Sequence, residues 1–155
     1  MNREDKIKLR EFQKADTERV IQIWLDGNKD AHPFVHKEYW ESNFEMVREQ
    51  LLQAEVFVCS LSGEIQGFMG IVDGYIAGIF VDKKHRSLGI GKRLLEYAKS
   101  QYDTLTLNVY RKNNRAAAFY FREGFSLLSE ELEEATGEAE CTMIWKADNR
   151  IKSER

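Results

Sequence analysis

The chain has 155 residues, the length of one domain, and we expect residues 1–155 to form a single unit with its core at about 7–146. Hydrophobic residues make up 43% of the chain, which is enough for a packed core and too much for a disordered protein. Because 26 Asp and Glu outnumber 23 Lys and Arg, the net charge of -3 argues against nucleic acid as a partner.

The first third of the chain predicts one strand and a pair of helices. Residues 7–12 alternate between apolar and polar, which is typical of a half-buried strand. Asp16 is placed to cap a first helix, and Gly27 and Asn28 are expected to end it. A second amphipathic helix is predicted by apolar residues spaced four, three and four apart, at Trp40, Phe44, Val47 and Leu51.

The rest of the chain predicts six strands and two helices. Ser62-Gly63 and Asp73-Gly74 separate three apolar runs, and such tight turns join antiparallel strands. The elements in order are strands at 56–61, 65–72 and 75–82, a helix after Gly91, a strand at 105–110, a helix at 114–123, and strands at 125–128 and 141–145. We expect an α/β fold, with a mixed, mostly antiparallel twisted sheet of about seven strands flanked by about four helices.

Several features bear on where the protein resides. The longest apolar runs fall far short of the roughly 20 residues that span a bilayer, so no membrane association is expected. Residues 1–10 are charged and lack an apolar signal-peptide core, which favours the cytoplasm. Cys59 and Cys141 stand far apart without metal-ligand spacing, so we expect reduced core cysteines and no metal.

The segment at 86–91, Arg-Ser-Leu-Gly-Ile-Gly, lies between a predicted strand and a predicted helix. The first amides of a helix lack internal partners, and Gly89 and Gly91 let a ligand approach the backbone. Basic side chains crowd the same stretch, at Lys83, Lys84, Arg86, Lys92 and Arg93. The pattern favours a pyrophosphate site. It lacks the glycine spacing of the loops that bind NAD or ATP. An ordinary turn beside solvated charges also fits the pattern.

Two motifs together resemble a known family. Arg86-x-x-Gly89-x-Gly91 resembles the acyl-coenzyme A signature of the GNAT superfamily of N-acetyltransferases, and Val81 ends the preceding strand as in that family. Asn113, Phe119-Tyr120 and Gly124-Phe125 follow in the order and spacing of the family's second signature. The resemblance covers 7–145 and implies a GNAT fold and an enzyme that uses acetyl-CoA as its cosubstrate.

The resemblance also implies where acetyl-CoA binds. Backbone amides at Ile79, Phe80 and Val81 are expected to hold the pantetheine and to polarise the thioester carbonyl, an effect worth roughly 3 kcal/mol. The other residues expected at the cosubstrate are Arg86, Ser87, Leu88, Gly89, Ile90, Gly91, Lys92, Asn113, Phe119 and Tyr120.

Tyr120 is the candidate general acid, because a phenol can donate a proton to the departing thiolate. The alternative role for Tyr120 is packing on the sheet. The alternative role for Asn113 is a helix cap that contacts no ligand. Many relatives carry a Glu on the strand at 75–81, and this chain carries none there. A water relayed by His32, Asn108 or the backbone could serve as the base, and among these only His32 titrates near neutrality, although it could also be structural.

The acceptor is the least specified part of the prediction. His32-Pro33-Phe34 resembles a turn of a bacterial subgroup linked in part to protein lysine acetylation, which implies a primary amine of a small molecule, a protein lysine or an N-terminus. Six glutamates gather at 130–140, where they could attract a cationic amine or simply form a solvated loop. A monomer or homodimer is expected. The alternatives to an active enzyme of this kind are a non-catalytic acyl-CoA sensor, which the presence of Tyr120 disfavours, and a tRNA-acetylating toxin, which the net negative charge disfavours.

Overall fold

The computed structural model describes residues 7–86 and 88–148. Its strands are β1 (Ile7–Glu11), β2 (Glu55–Leu61), β3 (Glu64–Val72), β4 (Tyr75–Val81), β5 (Thr104–Tyr110), β6 (Ser126–Leu132) and β7 (Ala139–Lys146). Its α-helices are α1 (Thr17–Ala31), α2 (Lys37–Ser42), α3 (Phe44–Leu51), α4 (Ile90–Gln101) and α5 (Asn114–Arg122). The strands form one sheet in the order β1-β2-β3-β4-β5-β7-β6, so the predicted mixed, mostly antiparallel sheet of seven strands is confirmed.

The hairpins of β2, β3 and β4 form where the turn residues predicted them. Ser62 and Gly63, and likewise Asp73 and Gly74, all have positive φ angles, the conformation that a tight two-residue hairpin needs. The single parallel pair, β4 with β5, joins only Tyr75 to Thr106 and Ile76 to Leu107. Beyond these residues the two strands diverge, and the sheet opens between them.

Helix α1 is longer than its sequence predicts. It continues through Gly27 and Asn28 to Ala31, because Gly27 takes part in a tertiary contact and Asn28 in a hydrogen bond within the helix. A Cβ on Gly27 would lie 3.0 Å from a ring carbon of Phe80, so glycine here allows the helix to approach β4. The Asn28 amide donates to the Trp24 carbonyl one turn earlier, at 2.9 Å.

Two further expectations about the first helices were wrong. The carboxylate of Asp16 does not cap α1 but accepts hydrogen bonds from Gln13 N and from the Arg10 guanidinium, both at 2.8 Å. The second predicted helix is two helices, α2 and α3, separated at Asn43, whose side-chain amide donates to the Tyr39 carbonyl at 2.7 Å. The described chain therefore has five α-helices where about four were expected.

The last two strands extend further than their hydrophobic runs. β6 continues to Leu132 and β7 begins at Ala139, so Glu130, Glu131 and Glu140 are strand residues rather than loop residues. The reason is pairing: β7 lies between β5 and β6 and bonds to both along its length, which sustains strand structure in a polar sequence. The acidic segment is a hairpin with a defined register.

The core lies on both faces of the sheet. One layer packs α4 and α5 on the sheet around Met69, Leu94 and Leu107, and the other packs α1 and α3 on the opposite face. Both cysteines are free thiols, as expected, but only Cys59 is fully buried; Cys141 is half-buried. No helix in the part of the chain that the structure describes is long and apolar enough to cross a membrane.

Candidate active site

A cleft of about 950 Å³ opens where β4 and β5 diverge. The residues of the predicted site that line it are His32, Ile79, Phe80, Val81, Arg86, Gly89, Ile90, Gly91, Lys92, Asn113, Phe119 and Tyr120. Leu88 does not line the cleft, and Ser87 lies outside the described residues. The cleft thus brings together residues from five segments of the chain.

The turn before α4 has the geometry of an anion site. Asp82 follows β4, and its carboxylate accepts the Lys84 backbone N–H at 3.0 Å, which fixes the start of the turn. Gly89 adopts φ +83°, a left-handed conformation that L side chains avoid, and a Cβ on it would meet open space. The free amides at the start of the twelve-residue helix α4 follow directly, and they favour negative charge.

The exposed edge of β4 supplies further donors. Asp82 N donates to the Gln66 carbonyl on the β3 side at 2.7 Å. Because successive N–H groups of a strand point to opposite sides, those of Val81 and Ile79 point toward the opening beside β5. Their side chains, in contrast, pack against the core, so the backbone is what these residues present to the cleft.

Basic side chains of the cleft come from the turn before α4, from α4, from the segment before α5 and from α5. Arg86 and Lys83 both pair with Asp30 near the end of α1, at 2.9 and 3.2 Å, and these hydrogen bonds, that of Arg86 first, lower the pKa of the Asp30 carboxyl. Arg115 and Arg122 on α5 also line the cleft, and the sequence analysis missed them. Their spacing of seven residues, two helical turns, was the available signal.

Tyr120 lies on α5 with its ring between Phe119 and Phe125, at centroid distances of 5.2 and 5.5 Å. The residue is only 8% exposed, and this burial raises the pKa of its phenol above the usual value. Its hydroxyl makes no hydrogen bond within residues 7–86 and 88–148, and the side chain contributes to the cleft wall. Tyr120 is therefore protonated throughout the neutral range, with its donor uncommitted.

Asn113 and His32 are joined across the cleft. The Asn113 carbonyl oxygen accepts the Ala116 N–H at 3.2 Å, which caps α5, and its amide nitrogen lies 3.2 Å from His32 Nε2. Because that nitrogen is a donor, Nε2 is the acceptor and the imidazole is neutral. Burial lowers the pKa of His32 to about 4, although the Asn28 carbonyl and the Glu133 carboxylate act in the opposite direction.

The glutamates of the β6–β7 hairpin fall into two kinds. Glu130 pairs with Arg111 at 3.3 Å and Glu138 pairs with Lys112 at 3.0 Å, at the end of β5 and just beyond it. Glu133 instead accepts hydrogen bonds from Thr136 and Tyr110, and it lies close enough to Glu140 that burial first and then the charge of Glu133 raise the pKa of the Glu140 carboxyl. Sequence alone could not separate these two kinds, because strand register decides which side chains meet.

No carboxylate projects from β4 itself. The ring of Phe80 folds over Gly78, whose added Cβ would lie 2.4 Å from that ring, so this part of the strand presents an aromatic surface. Among the described residues, no group of three or more His, Cys, Asp or Glu side chains is arranged to hold a metal ion.

Comparison with known proteins agrees with this architecture. The family model of the acetyltransferase (GNAT) domain matches residues 53–127. The chain is 32% identical over 139 residues to the peptidyl-lysine N-acetyltransferase YiaC of Escherichia coli K12, covering 88% of this chain and 95% of that protein.

Two solved structures are also similar. The solution structure of apo YjaB from Escherichia coli matches with a TM-score of 0.81 and 25% identity, over 92% of this chain and 99% of that one. A Bacillus anthracis acetyltransferase in complex with acetyl coenzyme A matches with a TM-score of 0.55 and 27% identity, over 61% of this chain and 63% of that one. The chain belongs to the GNAT acetyltransferase family, and it is an acetyl-CoA-dependent N-acetyltransferase that acts on an amine.

Proposed function

We propose that this enzyme acetylates lysine side chains of proteins, with acetyl-CoA bound in the cleft between β4 and β5. The observation that carries the proposal is the cleft itself, in which a helix N-terminus, two free strand amides and an uncommitted tyrosine hydroxyl meet. The lysine acceptor is supported by the name of the Escherichia coli relative, a peptidyl-lysine N-acetyltransferase, and by the unneutralised glutamates on β6–β7.

The cleft residues fit the cosubstrate. Open space at Gly89 and the amides at the start of α4 suit the pyrophosphate, and Arg86, Lys92 and Arg122 surround it with positive charge. The N–H groups of Ile79 and Val81 would bind the pantetheine and the thioester oxygen. Acetyl-CoA supplies the activated acetyl group, and the protein supplies orientation, charge stabilisation and proton transfer.

In this mechanism Tyr120 donates its proton to the thiol sulfur as the carbon–sulfur bond breaks. Burial raises the pKa of its phenol, so the proton stays on the oxygen at neutral pH until negative charge develops on the sulfur beside it. The amine must lose a proton before it attacks, and β4 offers no base for that step.

His32 acts in this proposal as a positioning residue. A histidine with a pKa of about 4 is neutral throughout the neutral range, and its Nε2 is engaged with Asn113. Proton relay through His32 would require breaking that bond. We assign it instead the task of orienting Asn113, which caps the helix that carries Tyr120.

The acceptor class is tested by a substrate panel. Lysine-containing peptides, polyamines and neutral small amines are compared at equal concentration, with thiol release as the readout and mass spectrometry to locate the acetyl group. We expect lysine peptides to give the highest kcat/KM, falling as salt rises because exposed charges are screened within about 8 Å at physiological ionic strength. Preference for a neutral small amine would overturn the lysine assignment.

Replacing Asp30 by Asn is expected to tighten coenzyme A binding about twofold to fivefold at low salt. The substitution frees Arg86 and Lys83 from an exposed ion-pair network of modest strength, so that both can face the pyrophosphate. Calorimetry with coenzyme A measures the change, and Asp26→Asn, one turn earlier on α1 and outside the cleft lining, is the matched control. Weaker binding would mean that Asp30 orients these cations for the ligand.

A further inference from the structure

The β6–β7 hairpin brings two carboxyl groups together without a cation. Glu133 and Glu140 interact with one another, and neither forms an ion pair with any side chain of the described residues. The adjacent Glu130 and Glu138 do form such pairs, so basic partners are available in this region and are used elsewhere. Like charges held this close repel unless a proton or a cation lies between them.

The pair is held in place by the sheet. Tyr110 on β5 donates its hydroxyl to Glu133 at 2.5 Å, and Thr136 donates to the same oxygen at 2.8 Å. Glu140 is the Cα partner of Tyr110 across the β5–β7 ladder, so the carboxyl group and the phenol lie on one face. The hydrogen bonds fix the Glu133 carboxyl group, and the strand register places Glu140 on the same face of the sheet as Tyr110.

Aromatic side chains surround the two carboxyl groups. Tyr75 from β4 and Tyr39 from α2 lie close enough for the charges of Glu133 and Glu140 to raise the pKa of both phenols further, beyond the larger effect of burial. Tyr110 itself is buried against the rings of Trp40 and His32. The two acidic groups therefore lie among aromatic rings, an environment that suits a cationic side chain with an apolar stem.

A second feature points to a ligand on this face. His32 is more than nine-tenths buried, its ring centroid lies 4.9 Å from that of Tyr110, and its Nδ1 makes no well-formed hydrogen bond among the described residues. The same holds for Nε1 of Trp40. Buried donors without acceptors reduce stability and are uncommon outside functional sites. Both donors belong to the aromatic wall that also carries the hydroxyl bound to Glu133.

We propose that Glu133 and Glu140 bind the ammonium group of the substrate lysine and that Glu140 takes its proton. This inference rests on the proposed function and adds the base that β4 lacks. One N–H proton moves to Glu140, the nitrogen lone pair forms the bond to the thioester carbon, and the carbon–sulfur bond breaks. The sulfur takes the proton of Tyr120. The nitrogen then loses a second proton, which returns to the Tyr120 oxygen through solvent, and Glu140 releases its proton to solvent.

The pH dependence follows from the environment of Glu140. Burial first, and then the charge and hydrogen bond of Glu133, raise the pKa of the Glu140 carboxyl above its usual value. The groups that face it are Glu133 on the hairpin, its cross-strand neighbour Glu131 on β6, Tyr110 on β5, Tyr75 on β4, Tyr39 on α2 and, behind Tyr110, His32. A base must be ionised, so kcat/KM should fall as the pH drops through that raised pKa.

The binding test avoids turnover by using enzyme saturated with coenzyme A, which carries no acetyl group. A lysine peptide is titrated by calorimetry below neutral pH in two buffers of different ionisation enthalpy. We expect the wild-type enzyme to release up to about one proton per peptide, because the ammonium group of the peptide replaces the proton that Glu133 and Glu140 share. Glu140→Gln should release none and bind at least tenfold more weakly, and Glu134→Gln, at an exposed glutamate of the same hairpin, should match the wild type.

The kinetic test uses the same variants. Glu140→Gln is expected to lower kcat/KM for the peptide by about 100-fold and to remove the fall at acidic pH, while the coenzyme A Kd stays unchanged. Glu133→Gln should raise KM for the peptide more than it lowers kcat. If lysine peptides are acetylated equally well by wild type and Glu140→Gln, this inference is wrong and the proposed function stands. If no lysine peptide is acetylated by the wild type, the proposed function itself fails.

Discussion

Replacing Tyr120 by Phe is expected to lower kcat about 100-fold or more while the Kd for coenzyme A changes less than about twofold. The hydroxyl is uncommitted within the described chain and the ring is packed between Phe119 and Phe125, so phenylalanine preserves the packing and removes only the proton donor. Single-turnover thiol release measures the chemical step directly, and calorimetry measures the Kd.

A matched control separates the proton donor from general effects of losing a phenol. Tyr97→Phe on α4 also removes a hydroxyl from a partly buried ring, one packed 4.7 Å from Phe57 and outside the cleft lining. This variant should keep the wild-type kcat. A Tyr120→Phe enzyme that retains full turnover from pH 6 to 9 would show that the residue only packs on the sheet.

The parts of the fold that sequence predicted well are those fixed by local signals. Asp73-Gly74 and Ser62-Gly63 determine their hairpins, because residues at positive φ select one turn geometry. The glycine turn before α4 is similarly local, since the left-handed Gly89 and the following helix are neighbours in sequence. For this reason most of the residues that the sequence predicts at the cosubstrate do line the candidate cleft.

The errors arise where the contacts of single side chains override the usual helix preference. Gly27 usually favours the end of a helix, yet α1 continues because the missing side chain makes room for Phe80, which is distant in sequence. Asn43 interrupts a regular apolar spacing by binding the Tyr39 carbonyl, which divides one predicted helix into two. The contact of Gly27 with Phe80 is not contained in the helix's own sequence.

The acceptor half of the site is also a product of tertiary structure. Six glutamates at 130–140 look alike in sequence, and only the register of β5, β7 and β6 assigns Glu130 to Arg111 and brings Glu140 beside Tyr110. Burial then changes the chemistry of Glu140, as it does that of His32, which sequence favoured as a titrating group near neutrality. Both acid–base assignments therefore depend on environment more than on residue type.

Replacing Gly89 by Val is expected to weaken coenzyme A binding by at least tenfold. A β-branched residue avoids the φ of +83° that Gly89 adopts, and relaxing toward negative φ turns the first amides of α4 away from the cleft. If the backbone instead keeps its left-handed conformation, the new side chain occupies the open space in front of those amides. Calorimetric titration with coenzyme A measures the loss.

The control for this substitution is Gly63→Val. Gly63 has φ +88°, and a Cβ on it also meets open space, so both variants carry the same backbone strain of about 1–2 kcal/mol in the free energy of unfolding. Gly63 lies in the β2–β3 turn and not in the cleft lining, so its replacement should leave the coenzyme A Kd unchanged. If denaturant unfolding shows equal destabilisation and the two variants bind coenzyme A equally well, the pyrophosphate does not lie on the turn before α4. If only Gly89→Val loses affinity for coenzyme A, binding requires a left-handed and unobstructed backbone at position 89.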